Sequence, residues 1–173
     1  MINKQGSIFS HTALSKNWHN QRILPDNMVL LRQEISERIP CHNHFAAEIL
    51  YVEKGSGKLT VNGQEYSLSA GNGCILFTHH FHEITSSRQD PLILVSCRFS
   101  YQTYFFLSAL FPSSKQLPHN NPFCAFARFS TSEQLHCKRI IESLFAVMDT
   151  NDSSQNISLL LEWVARFLRN ITQ

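Results

Sequence analysis

The sequence is short of charge. Asp, Glu, Lys and Arg make up 16% of its 173 residues, against about a quarter in an ordinary globular domain, and the shortfall predicts that some surface is covered by a partner. It also lacks a strong excess of either sign, with a formal net charge of +2 and a sequence pI near 8.3. Nucleic-acid-binding domains cluster Lys and Arg and usually exceed a pI of about 9, so direct DNA binding by these residues is not expected. Lys138, Arg139, Arg166 and Arg169 read as ordinary solvated helix positions.

Paired cysteines are missing too. The five cysteines, Cys41, Cys74, Cys97, Cys124 and Cys137, contain no Cys-x-x-Cys and leave one over, which argues against a zinc ribbon or a disulfide framework and for free buried thiols in a reducing cytoplasm. No stretch approaches about 18 consecutive apolar residues, and no basic segment leads into an apolar run near Met1. A soluble cytoplasmic protein without a membrane partner is expected. There is no nucleophile elbow, no phosphate-cradling loop, no carboxylate pair at catalytic spacing and no internal repeat, so the common hydrolase and nucleotide-binding classes find no support.

What is present is a packed globule with a histidine-rich centre. Apolar residues make up 43% of the chain, with 13 Phe, and a chain of this length buries well over half of its unfolded surface as one domain. Nine histidines are many for this length. His42, His44, His79, His80 and His82 fall in two neighbouring clusters. If the chain from about His42 to Glu53 is one strand, side chains alternate between its faces and His42, His44 and Glu48 share one side. Two imidazoles and a carboxylate, joined by His82 from another strand, match what a borderline divalent cation requires. His79 and His80 read as loop residues.

Around that stretch the pattern is of short strands. Met28-Val29-Leu30-Leu31 opens the first, and Pro40 is expected to end it. Gly55-Ser56-Gly57 breaks the chain, and Asn62-Gly63 marks a type I′ hairpin, because both central residues of that turn need positive φ. Ser69 to Gly73 forms a further turn before an apolar run from Cys74 to Phe77, and a strand at about Leu92 to Phe99 follows. Strands separated by turns every eight to twelve residues favour a sandwich or small barrel. Residues 1 to about 26 are polar and aperiodic, an arm laid across the domain.

Beyond Tyr101 the pattern becomes helical. Tyr104 to Phe111 reads as a short buried helix ended by Pro112, and Ser113 to Pro122 as a polar loop. A brief extended segment near Cys124 to Phe129 leads to Ser130-Thr131-Ser132-Glu133, a capping box. The helix it starts carries Cys137, Ile141, Leu144, Phe145 and Met148 on one face. After a break from Thr150 to Ser154, in which Asp152-Ser153-Ser154-Gln155 is a second capping box, Ile157, Leu160, Leu161, Val164, Leu168 and Ile171 form another stripe. Trp163 and Phe167 widen it beyond one packing partner. That width predicts a homodimer through Leu160, Leu161, Val164 and Leu168.

The residues from His42 to Gly55 resemble the first cupin motif, His-x-His, then Glu after three residues and Gly after six more, without a gap. Gly71 to His82 keeps the spacing of the second motif, but Asn72 replaces its Asp and the Pro and Gly of its turn are absent. Glu48-Ile49-Leu50-Tyr51-Val52, the Gly-Ser-Gly step and Val61-Asn62-Gly63-Gln64-Glu65-Tyr66 are similar to the effector-binding domain of AraC-family transcription regulators. The resemblance implies a mainly β fold, a cupin-type barrel of two sheets followed by two amphipathic C-terminal helices, with residues 1–129 as barrel and arm and 130–173 as a helical dimerisation segment. It implies a small polar effector, a sugar among the candidates, held near His42, His44, Glu48, Tyr51 and His82. DNA would be reached only through a further region after Gln173. A single Zn, Ni, Mn or Fe ion on His42, His44, Glu48 and His82 stays open, since AraC-like sensors often keep these histidines as pocket residues without a metal. The alternative is a small metal-dependent cupin enzyme of dioxygenase or isomerase type.

Overall fold

The computed structural model describes residues 21–23, 29–110, 124–147 and 153–172. Most of the expected N-terminal arm, the polar loop of residues 113–122, Met148 and the start of the break after α2 lie outside them. The order of elements is β1 (Gln21–Ile23), β2 (Val29–Ile35), β3 (Arg38–His42), β4 (Ala47–Lys54), β5 (Ser56–Val61), β6 (Gln64–Ser69), β7 (Asn72–Leu76), β8 (His82–Ser86), β9 (Leu92–Phe99), α1 (Tyr101–Leu110), β10 (Ala125–Arg128), α2 (Thr131–Val147), α3 (Ser153–Arg169) and β11 (Ile171–Thr172). The strands form two antiparallel sheets: β1-β2-β9-β4-β7-β10-β11 and β3-β8-β5-β6. The expected double-sheet barrel followed by two helices is the fold observed.

Strand β4 shows how the layers arise from sequence. Its first six residues are all buried, as befits a strand covered on both faces. Leu50 and Val52 point inward and meet Leu59, Val61, Leu68 and Ile84 of the opposite sheet. Ile49 and Tyr51 point outward and meet Ile140, Ile141, Leu144, Trp163 and Phe167 of the helices. The period of two therefore divides one strand between two cores. Close approach of helix to sheet needs a gap in the side-chain layer, and Gly73 of β7 supplies it: a Cβ there would meet the Phe167 ring at 2.5 Å and the Leu50 carbonyl at 2.7 Å.

The turn at Asn62-Gly63 has φ of 48° and 86°, as the type I′ reading requires. At α2, the Ser130 hydroxyl accepts a hydrogen bond from the Glu133 amide at 3.4 Å, the first half of the capping box. The Glu133 carboxylate accepts instead from Arg166 of α3, at 2.9 Å, so the capping residue also ties the two helices together. All five cysteines are free, with Cys41 exposed and the others buried. No helix among the described residues is long and apolar enough to cross a membrane.

The stripe expected to form a homodimer is spent within the chain. Leu160, Val164 and Leu168 are buried, with Trp163 and Phe167, in the cluster that α3 shares with the seven-stranded sheet, and Leu161 packs partly buried against it. Within one chain, therefore, the seven-stranded sheet and α2 cover most of this wide stripe. The helical segment from residue 130 thus shares its core with the barrel. The stripe also ends earlier than expected: α3 stops at Arg169, the Asn170 amide donates to the Phe167 carbonyl at 3.0 Å, and Ile171 pairs with Ala127 as a strand.

Candidate functional site

The single histidine strand expected from His42 to Glu53 is two strands in different sheets. His42 ends β3 in the four-stranded sheet, Glu48 lies in β4 of the seven-stranded sheet, and residues 43–46 cross between them. The shared face of His42, His44 and Glu48 therefore comes from the crossing, not from strand parity. Pro40 lies within β3, where it is tolerated because β3 is an edge strand and the register shifts between Ile39 and His42. The Asn43 side-chain Nδ2 donates to the Thr78 carbonyl at 3.0 Å, anchoring the crossing to the turn before β8.

That turn departs from the usual motif and closes by other means. The His80 amide donates to the Phe77 carbonyl at 2.9 Å, and the Phe77 amide donates to Nδ1 of His80 at 3.1 Å. His80 is fully buried and Thr78 is held by the Tyr101 hydroxyl. A histidine thus does the work of the missing Pro and Gly, and it brings His82 to the head of β8, opposite His42 in register.

The residues converge on Glu48, whose side chain is 1% exposed. Its Oε2 lies 2.8 Å from Nε2 of His44 and 3.8 Å from Nε2 of His82. Its Oε1 accepts from Nε of Arg98 at 2.6 Å. Burial by itself would raise the Glu48 pKa, but Arg98, then His44 and His82, outweigh it and hold the carboxyl well below the usual range. The His82 pKa is lowered as well, to about 4, but there burial leads and favours the uncharged ring. At neutral pH the cluster holds an ionised Glu48 and a neutral His82.

The tautomers follow from the backbone. Nδ1 of His42 faces the Pro40 carbonyl at 2.9 Å, Nδ1 of His44 the Ala46 carbonyl at 3.0 Å, and Nδ1 of His82 the His80 carbonyl at 3.0 Å. A carbonyl only accepts, so each Nδ1 carries the hydrogen, and each neutral ring keeps its lone pair on Nε2. A lone pair of His44 and a carboxylate oxygen at 2.8 Å repel unless a positive charge, a proton or a metal ion, sits between them. Backbone carbonyls orienting imidazoles in this way are the usual outer support of metal ligands.

Among the described residues, His44, Glu48 and His82 form a group whose ligand atoms all lie within 4.8 Å of one another. His42 stands outside that group, its ring centroid 4.2 Å from that of His82. Tyr51 is not brought to the cluster. Its odd position on β4 turns it to the helix side, where its ring meets Phe129 edge-on at 5.4 Å. Arg98 was missed from sequence, although a signal existed: Leu92, Leu94, Ser96 and Arg98 share one face of β9, and a cation at the inward parity of an apolar strand is abnormal. Ser96, one inward step from Arg98, is 1% exposed and its hydroxyl has no hydrogen-bond partner among the described residues.

Residues 27–168 match the family model of the AraC-like ligand binding domain, so the chain belongs to that family. The fold is similar to that of ToxT from Vibrio cholerae, with a TM-score of 0.60 and 12% identity over 84% of this chain and 56% of that one. Also similar are a cupin protein from Bacteroides fragilis (18% identity, TM-score 0.40, 42% of this chain and 65% of that one) and the polyketide cyclase RemF from Streptomyces resistomycificus (22% identity, TM-score 0.37, 41% and 54%). The chain thus spans less than two thirds of the length of each of these three proteins. The search of curated proteins returned no match.

Proposed function

We propose that this chain is the effector-sensing part of an AraC-type transcription regulator, binding a small polar metabolite inside the barrel at His42, His44, Glu48, His82 and Arg98. The observation that carries the reading is an ionised, ion-paired cluster sealed against the barrel's apolar interior. Such a cluster costs desolvation and is weak evidence for stability, whereas convergent polar groups with perturbed pKa values in an apolar barrel mark a binding site. The carboxylate accepts, the guanidinium donates, and the Ser96 hydroxyl does either, which suits a ligand rich in hydroxyl groups such as a sugar. The family match supports the sensing role.

The donor set of His44, Glu48 and His82 fits one divalent cation of the Zn, Ni, Mn or Fe type, because the imidazoles already offer Nε2 and the carboxylate leaves Oε2 for it. Such an ion would supply a Lewis-acid anchor for an oxygen of the ligand. Arg98 keeps Oε1 engaged and limits Glu48 to one ligand atom. The same group is the specific observation that keeps a metal-dependent enzyme as the second reading.

Titration of monosaccharides and related small polar metabolites, followed by thermal shift and calorimetry with and without added divalent metal, tests the proposal. A binder is expected to lose affinity at least tenfold in Glu48→Gln and to alter promoter output in the complete regulator. Turnover of that compound by the metal-loaded chain, with no promoter effect, would move the assignment to the enzyme.

A further inference from the structure

A second constellation lies in the same barrel, on β7 and the chain entering β10, next to the layer of Glu48 and the histidines. Cys74 of β7 and Cys124, the residue that leads into β10, both belong to the core between the sheets. The register pairs Phe126 with Cys74 and Ala125 with Ile75, so Cys124 lies diagonally across from Cys74 on the same face. Their sulfurs are within hydrogen-bonding contact, and the hydroxyl of Tyr66, from the edge strand of the opposite sheet, bonds the Cys124 sulfur as well. The Tyr66 ring is in turn fixed by stacking on Phe126, with centroids 5.8 Å apart and planes 11° from parallel.

We infer that Cys74 and Cys124 form a reversible dithiol–disulfide couple in which Cys124 is the attacking thiol, Cys74 the resolving thiol and Tyr66 the positioning residue. The two thiols differ in the way such a couple requires. Cys124 is 8% exposed and Cys74 is fully buried, so an oxidant entering at the seam between the sheets meets Cys124 first. The hydrogen bond from Cys74, helped by the one from Tyr66, lowers the Cys124 pKa, while the same contact and burial raise that of Cys74. Ordinary buried cysteines are inert because burial disfavours the thiolate, as for Cys97, where burial raises the pKa. Cys124 departs from that pattern because two donors converge on its sulfur.

The chemistry balances with hydrogen peroxide as oxidant. The Cys124 thiolate attacks one peroxide oxygen, an S–O bond forms as the O–O bond breaks, and the departing hydroxide takes up a proton to leave as water. The Cys74 sulfur then attacks the sulfenic sulfur, the S–S bond forms as the S–O bond breaks, and the second hydroxide leaves as water with the Cys74 proton. Two thiols lose two electrons and two protons, and one peroxide becomes two waters. The product ties β7 to the chain entering β10. Cys74 pairs with Leu50 and the next inward residue, Leu76, with Glu48, so the bond forms one step from the histidine layer.

Peptide mapping under non-reducing conditions, after reduced wild-type protein is treated with hydrogen peroxide, tests this without any substitution. The expected result is a Cys74–Cys124 linkage that dithiothreitol reverses. In Cys74→Ser, dimedone should label Cys124 as the sulfenic acid. In Cys124→Ser, Cys74 should stay unmodified. Tyr66→Phe should slow oxidation about tenfold near neutral pH, with the difference vanishing at high pH where the thiolate no longer needs the donor. Native protein in which exposed Cys41 is oxidised while Cys74 and Cys124 remain free thiols would overturn the inference, as would linkage of either to another cysteine.

Discussion

Arg98→Met should be among the most destabilising single substitutions in the chain, because it strands a carboxylate that has no route to water. The Glu48 side chain is 1% exposed and that of Arg98 16%, so the pair is largely desolvated and the exposed-pair discount is small. Removing one partner of such a pair costs about 3–5 kcal/mol. His44 and His82 still face Oε2, which places the expected loss near the lower end, about 3 kcal/mol of the roughly 5–15 available to a domain. Urea denaturation in the presence of a chelator should show the midpoint falling by about 1.5 M if the slope is about 2 kcal/mol/M. The deficit should shrink below about pH 5, because burial raises the pKa of an uncompensated carboxyl, and a protonated Glu48 no longer needs the guanidinium. The Arg98→Met/Glu48→Gln double variant should recover at least about 2 kcal/mol of coupling. A single variant within about 1 kcal/mol of wild type, or a deficit independent of pH, would refute the electrostatic reasoning.

Other expectations follow from the same geometry. In metal-free protein the folded-state pKa of His82 is about 4, below its unfolded value of about 6.5. The unfolded chain takes up a proton first, so stability should fall as pH drops through that window, by up to about 3 kcal/mol. His82→Asn should flatten this dependence in denaturation series at stepped pH, while the loss tied to Glu48 should set in as pH falls through the unfolded carboxyl value of about 4.3 and continue below it, because its folded pKa is depressed. Gly73→Ala should lower the melting temperature by pushing Phe167 away from the sheet, and Phe167→Leu in the same chain should restore part of it. Ser130→Ala removes the cap of α2 and should cost about 1 kcal/mol, read by urea denaturation.

Much of this fold was legible because it rests on local rules. The hairpin at Asn62-Gly63, the capping serine of α2 and the order of barrel before helices all come from short-range signals that tertiary contacts do not overrule. The site was legible through spacing, although its geometry arises differently. His42 and Glu48 sit in different sheets, and a period-two pattern reads the same whether a strand continues or crosses to its neighbour. Tyr51 was misplaced for a related reason, since a strand covered on both faces does not reveal which parity is inward. The α3 stripe told how wide its cover must be, but a sheet and a second subunit make the same demand on Leu160, Val164 and Leu168. Arg98 left only a faint signal, a cation within an apolar strand, because its meaning depends on lying opposite Glu48, which the register alone reveals.

Long-range proton–nitrogen NMR of the imidazoles, recorded while a bound metabolite is titrated in, bears most directly on the cluster around Glu48 as the binding site. Free protein should show His82 neutral at pH 7 with its hydrogen on Nδ1, and saturation should move the Nε2 signals of His44 and His82 along the same binding isotherm as the calorimetric heat. A metabolite that binds with full affinity and leaves both imidazoles unmoved would contradict the assignment.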